Sequence, residues 1–260
     1  MKKYLLFILI FACRPSLYAQ NIFISKGQIE FEKRVHFIAN VNDIFKKDGD
    51  DDNGESDFIN TIKKQLPEWK TTYFNLYFDD KKTLYEPGRE VTEAGPKGPD
   101  WFNDPAQDNV VFCNLDTKQS VAQKSVYDSK FLLADSLRKA RWKITNDSRD
   151  IAGFNCRKAT TIINDSIFVV AFYTDQILTT GGPESFNGLP GMILGLAIPR
   201  LHTTWFATKV ETTEPTVSTL TPPAKGKKAT NADLSTKLQS VFKDAWNKKY
   251  AQHAQWIIEL

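Results

Sequence analysis

The sequence predicts an α+β fold: a single large curved antiparallel β-sheet with packed helices. Three observations carry that prediction. Between residues 25 and 212 the chain falls into short runs that alternate apolar and polar side chains, the period of a half-buried strand. Brief turn-formers separate these runs, and parallel crossovers need a dozen or more residues, so the pairing is antiparallel. Beyond residue 230 the apolar residues recur at helical spacing instead.

Residues 1–19 stand apart. Lys2 and Lys3 precede an apolar run from Tyr4 to Ala12, and a small residue, Ala19, follows. This is the plan of a secretory signal peptide cut after Ala19. The run is shorter than the roughly 20 residues a membrane span needs. A second reading is a lipobox-like Ile10-Phe11-Ala12-Cys13, which would leave a lipidated Cys13. The whole chain has 34 Lys plus Arg against 31 Asp plus Glu. Residues 1–19 hold Lys2, Lys3 and Arg14 and no acid, so the remainder is balanced and its charge does not point to nucleic acid. Residues 20–260 read as one domain.

The first strand is GQIEFEKRVHF, with Ile29, Phe31, Val35 and Phe37 on one face and Gln28, Glu30, Glu32, Arg34 and His36 on the other. An acidic, glycine-bearing loop follows, and Ser56 caps a short helix carrying Phe58, Ile59, Ile62 and Leu66. TTYFNLYF is a strand with Phe74, Leu76 and Phe78 on one face. Residues 86–108 are rich in proline and glycine and read as a long loop. The runs NVVFCNL, SVAQKSVY, KFLLAD, RWKIT, FNCRKATTII and SIFVVAFYT form a meander, with Asn146-Asp147-Ser148 and Asn164-Asp165-Ser166 among its turns. MILGLAI and HTTWFATKVE add two strands. Thr230 to Asp233 resembles a capping box and opens one amphipathic helix over about 232–257, with Leu234, Leu238, Val241, Phe242, Ala245 and Trp246 on its apolar face.

Candidate chemistry is sparse. Asp48, Asp50 and Asp52 fit the first positions of a calcium loop, but Asn53 stands where Gly is required and Gly54 comes one residue late. The acidic loop 48–57 therefore reads as solvated charge, and no His or Cys spacing indicates a metal. There is no G-x-S-x-G or H-E-x-x-H motif, which leaves Glu184, His202 and Cys156 as hydrolase candidates. Cys113 and Cys156 form a disulfide in an oxidising compartment or remain two separate buried thiols. Trp142 and Trp205 fall in strands as core residues.

The stretch SFNGLPGMILGL puts Gly188-Leu189-Pro190-Gly191 against an apolar run. Gly188 suits a positive φ, Pro190 and Gly191 suit a type II turn, and Gly195 marks a bulge or a close approach. A phosphate cradle is excluded, since no Lys or Arg lies between Lys158 and Arg200 and a strand follows rather than a helix.

Gly188, Leu189, Pro190, Gly191, Met192, Ile193 and Leu194 resemble the signature of the GLPGLI family, exported proteins of Gram-negative bacteria, with Met192 in place of Leu. Lys139–Thr161, with Gly153-Phe154-Asn155-Cys156, and the stretch from Val170 to Phe186 extend the resemblance, although Asp175 stands where Pro is commoner. The resemblance implies a sheet like that of periplasmic lipoprotein carriers and brings no catalytic set. The functional expectation is an exported, non-enzymatic cell-envelope protein that binds an apolar ligand or lipid without a cofactor. The alternatives are an interaction module for an envelope protein or a hydrolase.

Overall fold

The computed structural model describes residues 23–46, 57–91, 105–212, 220–245 and 247–260. The signal segment and the acidic loop, apart from Asp57, lie outside them, as do Trp246 and the side chains of Phe58 and Ile62. The first half of the chain gives β1 (Gly27–His36), α1 (Phe37–Phe45), α2 (Asp57–Gln65), β2 (Trp69–Phe78), β3 (Lys82–Pro87), β4 (Val110–Asn114), β5 (Gln119–Val126) and β6 (Ser129–Ser136). The second gives β7 (Lys143–Ile151), β8 (Phe154–Ile163), β9 (Ile167–Thr174), β10 (Met192–Ile198), β11 (Thr203–Glu211), β12 (Lys227–Ala229), α3 (Asn231–Phe242) and α4 (Lys248–Ile258).

All twelve strands join one sheet in the order β12-β6-β5-β4-β3-β2-β1-β11-β10-β9-β8-β7. Every neighbouring pair is antiparallel except β12, which lies parallel to β6. The α+β expectation is corrected to a mostly-β fold, with 47% strand and 20% helix among the described residues. The physical reason is length. The longest helix among the described residues has 12 residues, about 18 Å, whereas twelve strands at about 4.8 Å spacing run to more than 50 Å. Such helices cannot form a covering layer.

Alternation decides which face of each strand is buried. In β1 the odd positions from Gly27 to Val35 are buried and the even ones are not. Inner-face residues of β4–β6 and of β8–β10 share one core with Ile177, Phe186 and Leu189 from the β9–β10 connection and with Leu234, Leu238, Ile257 and Ile258 from α3 and α4. Val35, Phe37, Val41, Ile59 and Leu66 form a second, smaller core with α1 and α2.

Several local features depart from the sequence pattern. The first strand ends at His36, whose imidazole Nδ1 accepts from the Ala39 N–H at 3.2 Å and caps α1. β7 runs through Asn146-Asp147-Ser148, absorbing them as a register shift against β8. The carboxy-terminal helix is two helices. Thr230 and Asp233 make the capping box of α3, and Asn247 caps α4 by accepting from the Tyr250 N–H. Among the described residues no helix is long and apolar enough to cross a membrane.

Candidate functional site

Residues 175–191 do not form a hairpin loop between β9 and β10. They turn inward as a plug, in which Ile177, Thr179, Phe186 and Leu189 are all buried. Gly191 closes the plug. Its N–H donates to the Leu189 carbonyl at 2.8 Å, so the chain makes a three-residue turn about Pro190 rather than a type II turn. Gly191 has φ +142°, and a Cβ there would lie 2.0 Å from the Thr174 carbonyl oxygen. No side chain fits, so this glycine is fixed by the close approach. Met192, Ile193 and Leu194 then enter β10, fully buried. Gly195 is both a bulge and a close approach. The pairing with β9 shifts register there, and a Cβ would lie 2.8 Å from the Phe206 ring.

The plug delivers Glu184 to the inner face of the sheet. Glu184 is 3% exposed and adopts φ +54°, a left-handed conformation unfavourable for glutamate. Its Oε2 accepts from the Asn109 side-chain amide at 2.9 Å, and its Oε1 lies 3.7 Å from Lys33 Nζ. Lys33 occupies an inner position of β1 opposite Trp205 of β11. Its ammonium lies 5.2 Å from the Trp205 ring centre and 5.8 Å from that of Phe74, which itself stacks on Tyr85 at 4.8 Å. Burial, then the Glu184 charge, pushes the Tyr85 hydroxyl well above its ordinary pKa. The Trp205 indole lies against the Tyr85 hydroxyl and offsets part of that rise, although neither group makes a well-formed hydrogen bond among the described residues.

Lys124 of β5 and Arg138 extend this cluster outward. Lys124 is 4% exposed, and burial lowers its pKa to about 8. Its ammonium donates to the Ile258 carbonyl at 2.8 Å. Arg138 donates from Nε to the Ser185 hydroxyl at 2.9 Å and from Nη2 to the main-chain oxygens of Glu259 and Leu260. These two residues form part of the wall of a pocket of about 540 Å³, shared with Asp135, Lys139, Asn164 and Asn231. Asp135 and Glu259 are the side-chain carboxylates that line it, and the main-chain oxygen of Leu260 accepts from Ser185 and Arg138 beside them. Asp135 accepts from the Asn231 N–H at 3.2 Å, and Glu259 accepts from the Asn164 and Gln255 amides.

The other residues that sequence reasoning singled out lie elsewhere. Cys113 and Cys156 are two free, buried thiols, on β4 and β8, which six strands separate in the sheet. Burial pushes them up to about 11 and about 12, so neither is a ready nucleophile. His202 pairs with Asp43 at 2.9 Å, and His36 with Glu68 at 3.8 Å. No group of three or more His, Cys, Asp or Glu among the described residues is arranged to hold a metal. Trp205 is core, whereas Trp142 precedes β7 and donates to the Asn187 carbonyl at 2.9 Å, bracing the plug. Of the three hydrolase candidates, only Glu184 reaches the cluster. Lys33 and Lys124 were missed, although each fills an apolar-face position of a strand, between Phe31 and Val35 and between Ala122 and Val126.

The family model "N-glycanase peptide, N-terminal domain" matches residues 103–236, just over half of the chain. No match is found among curated proteins. The fold is similar to PNGF-II in two crystal forms. The C2 form gives a TM-score of 0.50 at 14% identity, and the P21 form 0.48 at 16%. Both alignments cover 82% of this chain and 32% of the other. The chain thus spans about a third of the length of PNGF-II. These findings overturn the expectation of a non-enzymatic carrier or interaction module, because the relationship is to a glycanase. The structure supplies the physical reason against an apolar ligand. The inner face of the sheet is covered by the plug residues Ile177, Phe186 and Leu189, and the pocket beside it carries Lys124, Asp135, Arg138, Lys139 and Glu259 in its wall.

Proposed function

The chain belongs to the family of the N-glycanase N-terminal domain, and we propose that it works in the release of N-linked glycans, holding the sugar in the pocket beside Lys124 and Arg138. One observation carries this reading. Apart from Ile258, Glu259 and Leu260, the whole wall of the pocket falls within the stretch matched by the family. Four serines, two asparagines and five charged side chains, set among eight apolar ones, supply the hydrogen-bond partners a hydroxyl-rich ligand needs. Cleaving the glycosyl-amide bond needs a base to activate water. At this pocket that base comes from Asp135 or Glu259, each already oriented by hydrogen bonds.

Export through residues 1–19 to the periplasm or the outer membrane is part of the same proposal, as is membership of the GLPGLI family through Gly188–Leu194. The test is incubation of the exported protein with an N-glycopeptide, following glycan binding by calorimetry and glycan release by mass spectrometry. Binding that weakens about tenfold in Lys139→Ala, with release abolished in Asp135→Asn or Glu259→Gln, supports the reading. Absence of both binding and release removes it.

A further inference from the structure

Three consecutive residues close one side of the pocket, and separate parts of the fold grip them. The Ile258 carbonyl accepts from Lys124 of β5 at 2.8 Å. The main-chain oxygens of Glu259 and Leu260 accept from Arg138 Nη2, and that of Leu260 accepts also from the Ser185 hydroxyl of the plug at 2.5 Å. Ile258 and Leu260 sit in the main core, 0% and 3% exposed. Glu259 stands between them, half-buried, and lines the pocket. Its carboxylate is aimed as firmly as its backbone. Oε2 accepts from the Asn164 amide at 2.9 Å, and Oε1 from the Gln255 amide at 2.8 Å. An ionised carboxylate offers about four acceptor positions, so these two amides leave about two open. Asp135 is used differently. Its Oδ1 accepts from the Ser136 N–H at 2.7 Å and its Oδ2 from the Asn231 N–H at 3.2 Å. Those bonds tie the end of β6 to the first residue of α3 and serve the fold.

We infer that Glu259 decides which sugar the pocket holds, its carboxylate accepting from two neighbouring hydroxyls, and that Asn164, Gln255 and Arg138 are positioning residues that fix it there. The inference rests on the reading of the pocket as a glycan site and selects, of its two carboxylates, the one that meets the ligand. Hydrogen bonds from hydroxyls to an ionised carboxylate are about twice as strong as those between neutral groups. A glutamate free to turn loses part of that gain when the ligand orders it, whereas Glu259 is ordered beforehand. Residues 258–260 also lie beyond the stretch 103–236 that the family model matches. The matched stretch supplies the frame of the pocket, and the added segment supplies the acceptor that discriminates between sugars.

The experiment is a calorimetric titration of the full chain with an N-glycopeptide whose glycan is neutral. Glu259→Met is expected to weaken binding about tenfold. Gln255 is not part of the pocket wall, so Gln255→Met removes no contact with the ligand. It is expected to weaken binding about threefold in the wild-type background and to change nothing further in the Glu259→Met background. A Gln255→Met effect that is absent, or equal in both backgrounds, overturns the positioning roles. Melting temperatures check the fold of each variant. If a variant does not fold, the wild-type chain decides by NMR: the side-chain amide signals of Asn164 and Gln255 are expected to shift as the glycopeptide is added, and unmoved signals overturn the inference. A wild-type chain that binds no N-glycopeptide removes the glycan reading and this one with it. Binding that survives Glu259→Met undiminished removes this one alone.

Discussion

The cluster around Glu184 and the cluster around His202 use similar chemistry in different settings. Each sets basic side chains against carboxylates. Asp43 and Glu68, the partners of His202 and His36, have side chains 57% and 70% exposed. That of Glu184 is 1% exposed. Water and salt screen the first cluster, so each pair contributes little. In the second cluster every charge has been stripped of water, so each partner that remains is indispensable. The comparison teaches that setting, rather than residue type, separates a candidate site from surface decoration.

The largest expected effect breaks the inner cluster. Glu184→Gln keeps the shape of the side chain and leaves Lys33 buried without a counter-charge. A loss of about 3–5 kcal/mol is expected in urea unfolding, and a loss below about 1 kcal/mol would put Glu184 on a par with the surface pairs. Lys124 sharpens the contrast through pH. Its folded pKa, about 8, lies below the ordinary lysine value of 10.5. Above pH 8 the unfolded chain binds the extra proton, so stability rises with pH. The stability of wild type relative to Lys124→Met should climb between about pH 8 and pH 10.5, by up to about 3 kcal/mol. A flat difference would show that this lysine is well solvated.

Gly191→Ala tests the plug rather than the charges. It sets a Cβ against the Thr174 carbonyl and is expected to cost at least about 2 kcal/mol, read as a drop in melting temperature. The smallest effect belongs to the outer cluster. A double-mutant cycle on His202→Ala and Asp43→Ala at about pH 5.5 should give a coupling below about 1 kcal/mol. A larger value would make that pair more than an exposed contact.

The strand framework was legible because alternation survives in single sequence windows. The stretch from Val110 to Thr174 reads almost strand by strand, and the capping box at Thr230 was visible as a local pattern. β3 was not, because Lys82–Pro87 is short and draws its burial from β2 and β4. The α1 start was hidden by a histidine cap, which is less common than Ser, Thr, Asp or Asn. Asn146-Asp147-Ser148 looked like a turn, and only pairing with β8 holds it extended. Of the site, Glu184 was visible merely as an acid beside a Gly-Gly-Pro turn. Its partners are Lys33 of β1 and Asn109, which immediately precedes β4, and no local window contains that meeting. The two inward lysines were readable in principle, as charges in positions that alternation reserves for apolar residues.

The plug also bears on the order in which the chain assembles. Glu184 meets Asn109 across 75 residues of sequence, and Lys33 lies farther back still, in the first strand. The plug therefore cannot lock until the amino-terminal strands and the β9–β10 pair are both in place. Contacts of such long range are closed late, after the local pairings have formed. The polar centre is thus expected to set after the local hairpins, along with the β1–β11 pairing, whose partners Gln28 and Glu211 lie farther apart still, and a chain halted before that point would carry its hairpins around an open, charged interior.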